Sequence, residues 1–250
     1  ADRIVLAGNG PLLILVAYYV VKFGGKIEAI VDTSKKSQWL KSIFSLILSP
    51  QNFIQGITWM LKIIFSRIPI YSNSMVTKVT NDVNGISVEI KNIKNKKFKK
   101  INTEVLAVGH GLIPSTDITR LLRVNHVYNE LKGGWIAKID KYFRSSTKGL
   151  YITGDGSGIS GAVAAHDKGK LAAYAILFDE NIINEEKFKQ ETAQVLRKLN
   201  RYEIFAKGIA NLNSTPKELI NNIDENTILC RCEDITKKEI IHAIKKGAKN

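Results

Sequence analysis

Three observations predict an α/β fold. The chain opens with a β-α-β unit carrying a glycine turn, continues into a stretch of period-two hydrophobicity, and returns to glycine turns placed after short apolar runs. The first unit is read from "RIVLAGNGPLLILVAYYVVKFGGKIEAIVDTS". Arg3 to Ala7 has the continuous apolar character of a strand buried on both faces. Gly8-Asn9-Gly10-Pro11 forces a tight turn, Leu12 to Phe23 reads as a helix, and Gly24-Gly25 ends it. Lys26 to Val31 is a second buried strand that finishes at Asp32.

This arrangement suits a dinucleotide. Gly8 permits the turn, Gly10 and Pro11 open the helix, and Gly10 lets backbone approach a pyrophosphate held by the unpaired N–H groups of the helix N-terminus. Asp32 is placed to accept hydrogen bonds from a ribose diol, and its charge should favour NAD over NADP, with Lys35 and Lys36 working against that preference. Leu13 stands where the third glycine of the usual fingerprint would be, so helix and strand are expected to sit slightly further apart.

The next stretch, Trp39 to Tyr71, is apolar but interrupted by Lys41, Ser49-Pro50-Gln51-Asn52, Lys62 and Arg67. No part of it is long and clean enough to span a bilayer. It predicts two amphipathic helices broken at Pro50, packed on the sheet or on a partner subunit. Membrane-surface attachment is the alternative that this reading sets aside. From Met75 the period changes to two. A strand, a turn at Asn84-Gly85, a second strand, a polar turn near Asn95 and a buried run from Thr103 to Val108 describe a meander returning to the first sheet. The Lys94–Lys100 cluster lies in a hairpin turn and reads as a solvated tip.

"VLAVGHGLIPSTDITRLL" then places Gly109, Gly111 and Pro114 after a buried strand. In "RSSTKGLYITGDGSGISGAVAAHDKGKLAAYAI", Leu150 to Thr153 reads as a short strand ending at Gly154-Asp155, and a small-residue helix runs from about Gly161 to Ile176. A carboxylate at a strand end can hold a polyol hydroxyl, and the helix N-terminus beside it faces an anion.

These motifs resemble those of flavoproteins with two dinucleotide-binding domains. Gly154-Asp155, preceded by an apolar run and by Ser145, is similar to their flavin-contacting signature, and "VLAVGHGLIPS" with Gly109 is similar to the turn where their NAD domain hands back to the FAD domain. The ordered set "LAGNGPLL", "GHGLIPST", "GGW" and "GDGSGISGA" most resembles one branch. It contains the FAD/NAD-binding subunits of opine oxidase, hydrogen cyanide synthase and hydroxyproline dehydrogenase. The resemblance implies a Rossmann-like NAD-type domain with a β-meander over 1–109, the C-terminal part of an FAD-binding domain over 110–180, a helical linker over 181–226, and the start of a small ferredoxin-like domain over 227–250. It implies flavin contacts from Ser145, Gly154 and Asp155; Gly109 at the hand-back turn and Gly161 at the helix start are further cofactor-binding candidates.

The same branch accounts for "LCRCEDITKKEII". Its members continue from a C-x-C pair, about thirty residues on, to a second cysteine pair that completes the ligands of a [2Fe-2S] cluster. Cys230 and Cys232 are thereby assigned to half of such a cluster, with little in this chain to fold around, and Thr236 with Glu239 forms the pattern of a capping box. Zinc is the competing metal, disfavoured because the C-x-x-C spacing is absent and His110, His126, His166 and His242 lack ligand spacing. No catalytic residue is nominated.

Composition narrows the rest. Hydrophobic residues at 44% and charged residues at 24% are globular proportions, and two cysteines in 250 residues fit a reducing, cytoplasmic setting rather than a disulfide scaffold. The formal charge of +14 comes from scattered lysines without an aromatic-interleaved basic stripe, which argues against a nucleic-acid partner. The chain starts almost at once with a core strand and contains no separate glycine unit for the adenosine half of FAD, so it reads as a fragment of a longer protein. The expected parent is an enzyme, a flavin-dependent oxidoreductase subunit. It would pass electrons between an amine or opine-type substrate, oxidised on a partner flavoprotein subunit, FAD and a [2Fe-2S] centre. The rivals are a non-catalytic nucleotide-binding assembly subunit and an NADH-dependent flavin reductase.

Overall fold

Parallel pairing of β1 (Ile4–Gly8) with β2 (Ile27–Asp32) across α1 (Gly10–Lys22) builds the centre of the molecule. The computed structural model describes residues 3–47, 50–83, 85–213 and 216–248. After β2 come α2 (Lys36–Ile47), α3 (Pro50–Phe65) and β3 (Ile70–Ser72), then the antiparallel meander β4 (Ser74–Asp82), β5 (Gly85–Asn92) and β6 (Phe98–Thr103). β7 (Val105–Gly109) returns to the first sheet, whose order is β3-β2-β1-β7 with every pair parallel. The expected strand–turn–strand pattern is present; Asn84 itself, and residues 48–49 where the expected break before Pro50 falls, lie outside the described residues.

Side-chain alternation decides what covers each face. Leu6 and Ile30 point to one side and pack with Leu13, Ile14 and Ala17 of α1 and Ile63 of α3. Val5, Ala7, Ala29 and Val31 point to the other and pack with Val88 and Ile90 of the meander. Burial of each such aliphatic side chain contributes roughly 1.5–3 kcal/mol, which is why these strands read as continuous apolar runs. α1 starts at Gly10, two residues before the expected Leu12, because Pro11 suits the first turn of a helix.

The remainder comprises α4 (Asp117–Leu121), the antiparallel pair β8 (His126–Asn129) and β9 (Gly134–Ala137), α5 (Ala162–Asp179) and the 29-residue α6 (Glu185–Asn213). The strand expected at Leu150–Thr153 is not formed. Its only partner among the described residues is the segment around Phe143–Ser145, and the two make a single bridge, Arg144 to Tyr151. Arg144 instead fastens this region to the end of α5, donating from Nε and Nη2 to the Asp179 carboxylate at 2.6 Å each. α7 (Lys217–Asn221), β10 (Ile228–Cys230), β11 (Ile235–Thr236) and α8 (Lys237–Lys245) complete the chain. Contacts divide it into two compact units, Ala1–Ser214 and Thr215–Asn250. Among the described residues no helix is long and apolar enough to cross a membrane.

Candidate functional site

Each strand of the parallel sheet is followed, one residue past its end, by a side chain with a buried polar atom. These are Asn9 after β1, Thr33 after β2, Asn73 after β3 and His110 after β7. Backbone hydrogen bonds stitch the row together: Asn9 N–H to the Gly109 carbonyl at 3.3 Å, Thr33 N–H to Gly8 at 2.9 Å, and Asn73 N–H to Ser34 at 3.1 Å. Thr33 Oγ1, Asn73 Oδ1 and His110 Nδ1 have no hydrogen-bond partner among the described residues. Burial also lowers the pKa of His110, favouring the neutral ring. An unsatisfied buried polar group costs about 1–3 kcal/mol, so three along one edge fit a polar ligand that supplies the missing partners. The carboxyl edge of a parallel sheet is where such ligands bind in open α/β folds.

Gly8, Gly10 and Pro11 form the turn at the centre of this row. Gly8 is paired in register with Gly109, and a Cβ on Gly8 would lie 1.9 Å from the Gly109 carbonyl oxygen. Close approach of β7, rather than turn geometry, therefore demands this glycine. Gly10 does carry a left-handed φ of 73°, and no side chain caps the N-terminus of α1. Asp32 stands at the tip of β2 but faces inward. It is 5% exposed and accepts the Ser34 N–H at 2.8 Å. Burial pushes its carboxyl pKa up, opposed by hydrogen bonds from Ser34 and Trp39.

The second set of glycines surrounds a buried lysine. Gly154–Ser157 forms a 3₁₀ turn with Asp155 exposed. Lys168 of α5, itself 6% exposed, donates to the carbonyls of Gly158 at 2.7 Å and Gly154 at 3.3 Å. Burial lowers its pKa from 10.5 to about 8, with Lys132 adding to the effect and Asp155 and Glu203 opposing it. Gly161 precedes α5 with φ 89°, and no side chain caps that helix either. Gly133 is pressed against the loop after β7, where a Cβ would lie 2.9 Å from the Leu112 carbonyl oxygen. Ser145 is half-buried and engaged in its own turn, exchanging hydrogen bonds with the Thr147 backbone at 3.1 Å. An exposed carboxylate beside an uncapped helix N-terminus fits the polyol and phosphate side of a flavin nucleotide.

In the second unit, Cys230 ends β10 and Cys232 lies in the turn that leads to β11; both thiols are free. Thr236 and Glu239 form the expected capping box, with Thr236 N–H donating to Glu239 Oε2 at 2.8 Å and Glu239 N–H to Thr236 Oγ1 at 3.4 Å. α8 buries none of its residues. Among the described residues no group of three or more His, Cys, Asp or Glu side chains is arranged to hold a metal. The two thiols could supply half of an all-cysteine [2Fe-2S] ligand set.

No protein-family model matches the chain. Hydrogen cyanide synthase subunit HcnB of Pseudomonas aeruginosa is 25% identical over 98% of this chain and 54% of its own length. An opine oxidase subunit is 28% identical in Rhizobium meliloti, over 98% of this chain and 46% of the relative, and in Agrobacterium tumefaciens, over 99% and 49%. The chain is a homologue of these subunits. It spans about half the length of the curated relatives it matches. Among solved structures, the flavoprotein disulfide reductase RclA from Escherichia coli superposes with TM-score 0.51 at 14% identity, over 70% of this chain and 36% of that one. Bacillithiol disulfide reductase Bdr from Staphylococcus aureus gives 0.50 at 15% identity, over 71% and 51%. These likenesses establish the Rossmann-like α/β fold of the homologue.

Sequence reasoning missed Thr33, Asn73 and Lys168, and considered His110 as a metal ligand, which its spacing disfavoured. The signal for the first two is positional: the residue directly after each parallel strand. For Lys168 it is a lysine set among the small residues of "GAVAAHDKGKLAA".

Proposed function

We propose that this chain is the nucleotide-binding part of a flavin-dependent oxidoreductase subunit. The observation that carries the reading is the row of buried polar atoms at the carboxyl edge, Thr33, Asn73 and His110, beside the Gly8–Gly10 turn. NAD is assigned to that edge, with Gly8, Gly10 and Pro11 at the pyrophosphate and Asp32 at the adenosine ribose. Part of an FAD site is assigned to Gly109, Ser145, Gly154, Asp155 and Gly161, and half of a [2Fe-2S] site to Cys230 and Cys232. Residues 1–109 form the NAD-type domain, 110–180 the C-terminal part of the FAD domain, 181–226 a helical connection and 227–250 the start of the cluster domain. Bound cofactors supply the electron transfer; the protein holds and orients them.

The relatives are named as subunits of hydrogen cyanide synthase and opine oxidase. By analogy the parent protein works in a hetero-oligomer, where a partner flavoprotein oxidises an amine or opine-type substrate and electrons pass through FAD and the cluster. Two free thiols suit the cytoplasm. Stopped-flow spectroscopy of the intact parent tests the reading. Flavin bleaching by an amine substrate only when the partner is present supports it. Bleaching by NADH alone supports a reductase, and bleaching by neither supports a nucleotide-binding assembly role.

A further inference from the structure

α6 spans both halves of the first unit. Phe188, Val195 and Leu199 in its first half are buried, and Val195 and Leu199 share a cluster with Phe143, Leu171 and Ala172. Its last turns lie against the tip of β2 and the start of α2. Ser34 Oγ donates to the Leu212 carbonyl at 3.1 Å, Gln38 Nε2 to Asn211 at 3.0 Å, and Ser42 Oγ to Gly208 at 2.9 Å. A Cβ on Gly208 would lie 2.6 Å from Ser45 Cβ. Thr33 and Ser34 are each 1% exposed and Leu212 is fully buried, so the tip of β2 is sealed.

The carbonyls of Asn211 and Leu212 belong to the last turn of a helix ending at Asn213, where carbonyls have no intrahelical donor. Here the missing donors are side chains from across the sequence. The residues just past an acidic strand tip are also those that face the adenosine ribose of a dinucleotide in this type of fold. The Ser34 hydroxyl proton cannot go to the helix and to a nucleotide at the same time, and with the helix end in place Ser34 is only 1% exposed. The C-terminal end of a helix also carries partial negative charge, here brought to the neighbourhood of Asp32.

We propose that the C-terminal turn of α6 is a built-in competitor for the adenosine end of the nucleotide site, and that nucleotide binding requires its displacement from Ser34, Gln38 and Ser42. The proposal rests on the assignment of NAD to the carboxyl edge. The C-terminal turn of α6 is held by neutral side chain–to–carbonyl hydrogen bonds, which water can replace once the helix lifts, and by burial of Leu212. Closure therefore lowers apparent affinity by the fraction of molecules in the open state.

A reversible lock tests it. Ser45→Cys with Gly208→Cys, in a Cys230→Ser, Cys232→Ser background, places two thiols whose Cβ atoms, 2.6 Å apart in the closed position, need to part by about 1.2 Å to reach the roughly 3.8 Å of a disulfide. Oxidation pins α6, and NAD binding measured by calorimetry should be at least about tenfold weaker than in the same protein after reduction. Leu212→Ala, which loosens the helix end without touching a ligand-facing donor, should bind NAD about tenfold more tightly than the parent sequence. Equal affinity in the locked and reduced protein, or no gain in Leu212→Ala, overturns the competitor while leaving the nucleotide reading intact. Absence of NAD binding in every variant, with circular dichroism showing folded protein, overturns the nucleotide reading and the competitor with it.

Discussion

Gly8 and Gly109 meet backbone to backbone at the carboxyl ends of β1 and β7, so closely that a methyl group on Gly8 would lie 1.9 Å from the Gly109 carbonyl oxygen. The relationship is one-sided, because a methyl group on Gly109 meets nothing within 4 Å. Gly8→Ala should therefore destabilise the fold by about 3 kcal/mol or more through forced separation of the strands. Gly109→Ala should cost less than about 1 kcal/mol. Urea denaturation of the two variants checks the asymmetry, and equal losses would show that strand approach is not what requires Gly8.

Lys168 ties Gly154 and Gly158 to α5. Lys168→Met leaves two carbonyls without this donor and should cost about 1–3 kcal/mol at neutral pH, offset in part by removal of a buried charge. The pH dependence has a definite sign. The folded lysine loses its proton above about 8, whereas the unfolded lysine keeps it to about 10.5, so between these values the unfolded chain binds more protons and stability rises with pH. Thermal melts of the parent sequence and Lys168→Met across that window should diverge, with the parent gaining as pH rises; parallel curves would contradict the assignment.

Asp32 accepts the Ser34 N–H within its own loop while standing at the tip of β2, the ribose position of the proposed site. NAD should bind more tightly than NADP, since a 2′-phosphate would face a carboxylate. Asp32→Ala should narrow that difference to within about tenfold and lower stability by about 1–2 kcal/mol, because the Ser34 N–H loses its acceptor. Calorimetry with both dinucleotides measures the first effect; tighter binding of NADP by the unmutated chain would refute it.

Cys230 and Cys232 should not assemble a cluster by themselves. Anaerobic reconstitution of the 250-residue chain should give no iron–sulfur absorbance. A version of the chain that carries about forty further residues of the proposed parent, with the second cysteine pair the cluster reading requires, should give it. In that longer protein Cys230→Ser or Cys232→Ser should abolish the reduced-state EPR signal. One bound zinc and no iron would make the site a zinc site instead.

Much of the first unit was legible because its determinants are local. The apolar runs around Leu6 and Ile30, the glycines flanking Asn9 and the period-two meander all act between near neighbours in sequence. The Thr236–Glu239 capping box is of the same kind, fixed by a spacing of three residues. Leu150–Thr153 was misread because an apolar run becomes a strand only if a partner strand extends beside it, and the segment at Phe143–Ser145 offers a single bridge.

The β-α-β unit, the glycine turn, the position of Asp32 at the tip of β2 and the closeness of Cys230 to Cys232 are all written in the order of the residues. Packing alone turns Asp32 inward, sets Thr33, Asn73 and His110 in one row, makes β7 require Gly8, and closes Leu212 on Ser34 from 178 positions away. The physical reason is the range of the interactions. Periodicity, capping and turn chemistry are satisfied within a few residues. A carbonyl at the end of α6 is completed by whichever donor the packed helices bring to it, and that depends on how α2, α5 and α6 share their buried surface.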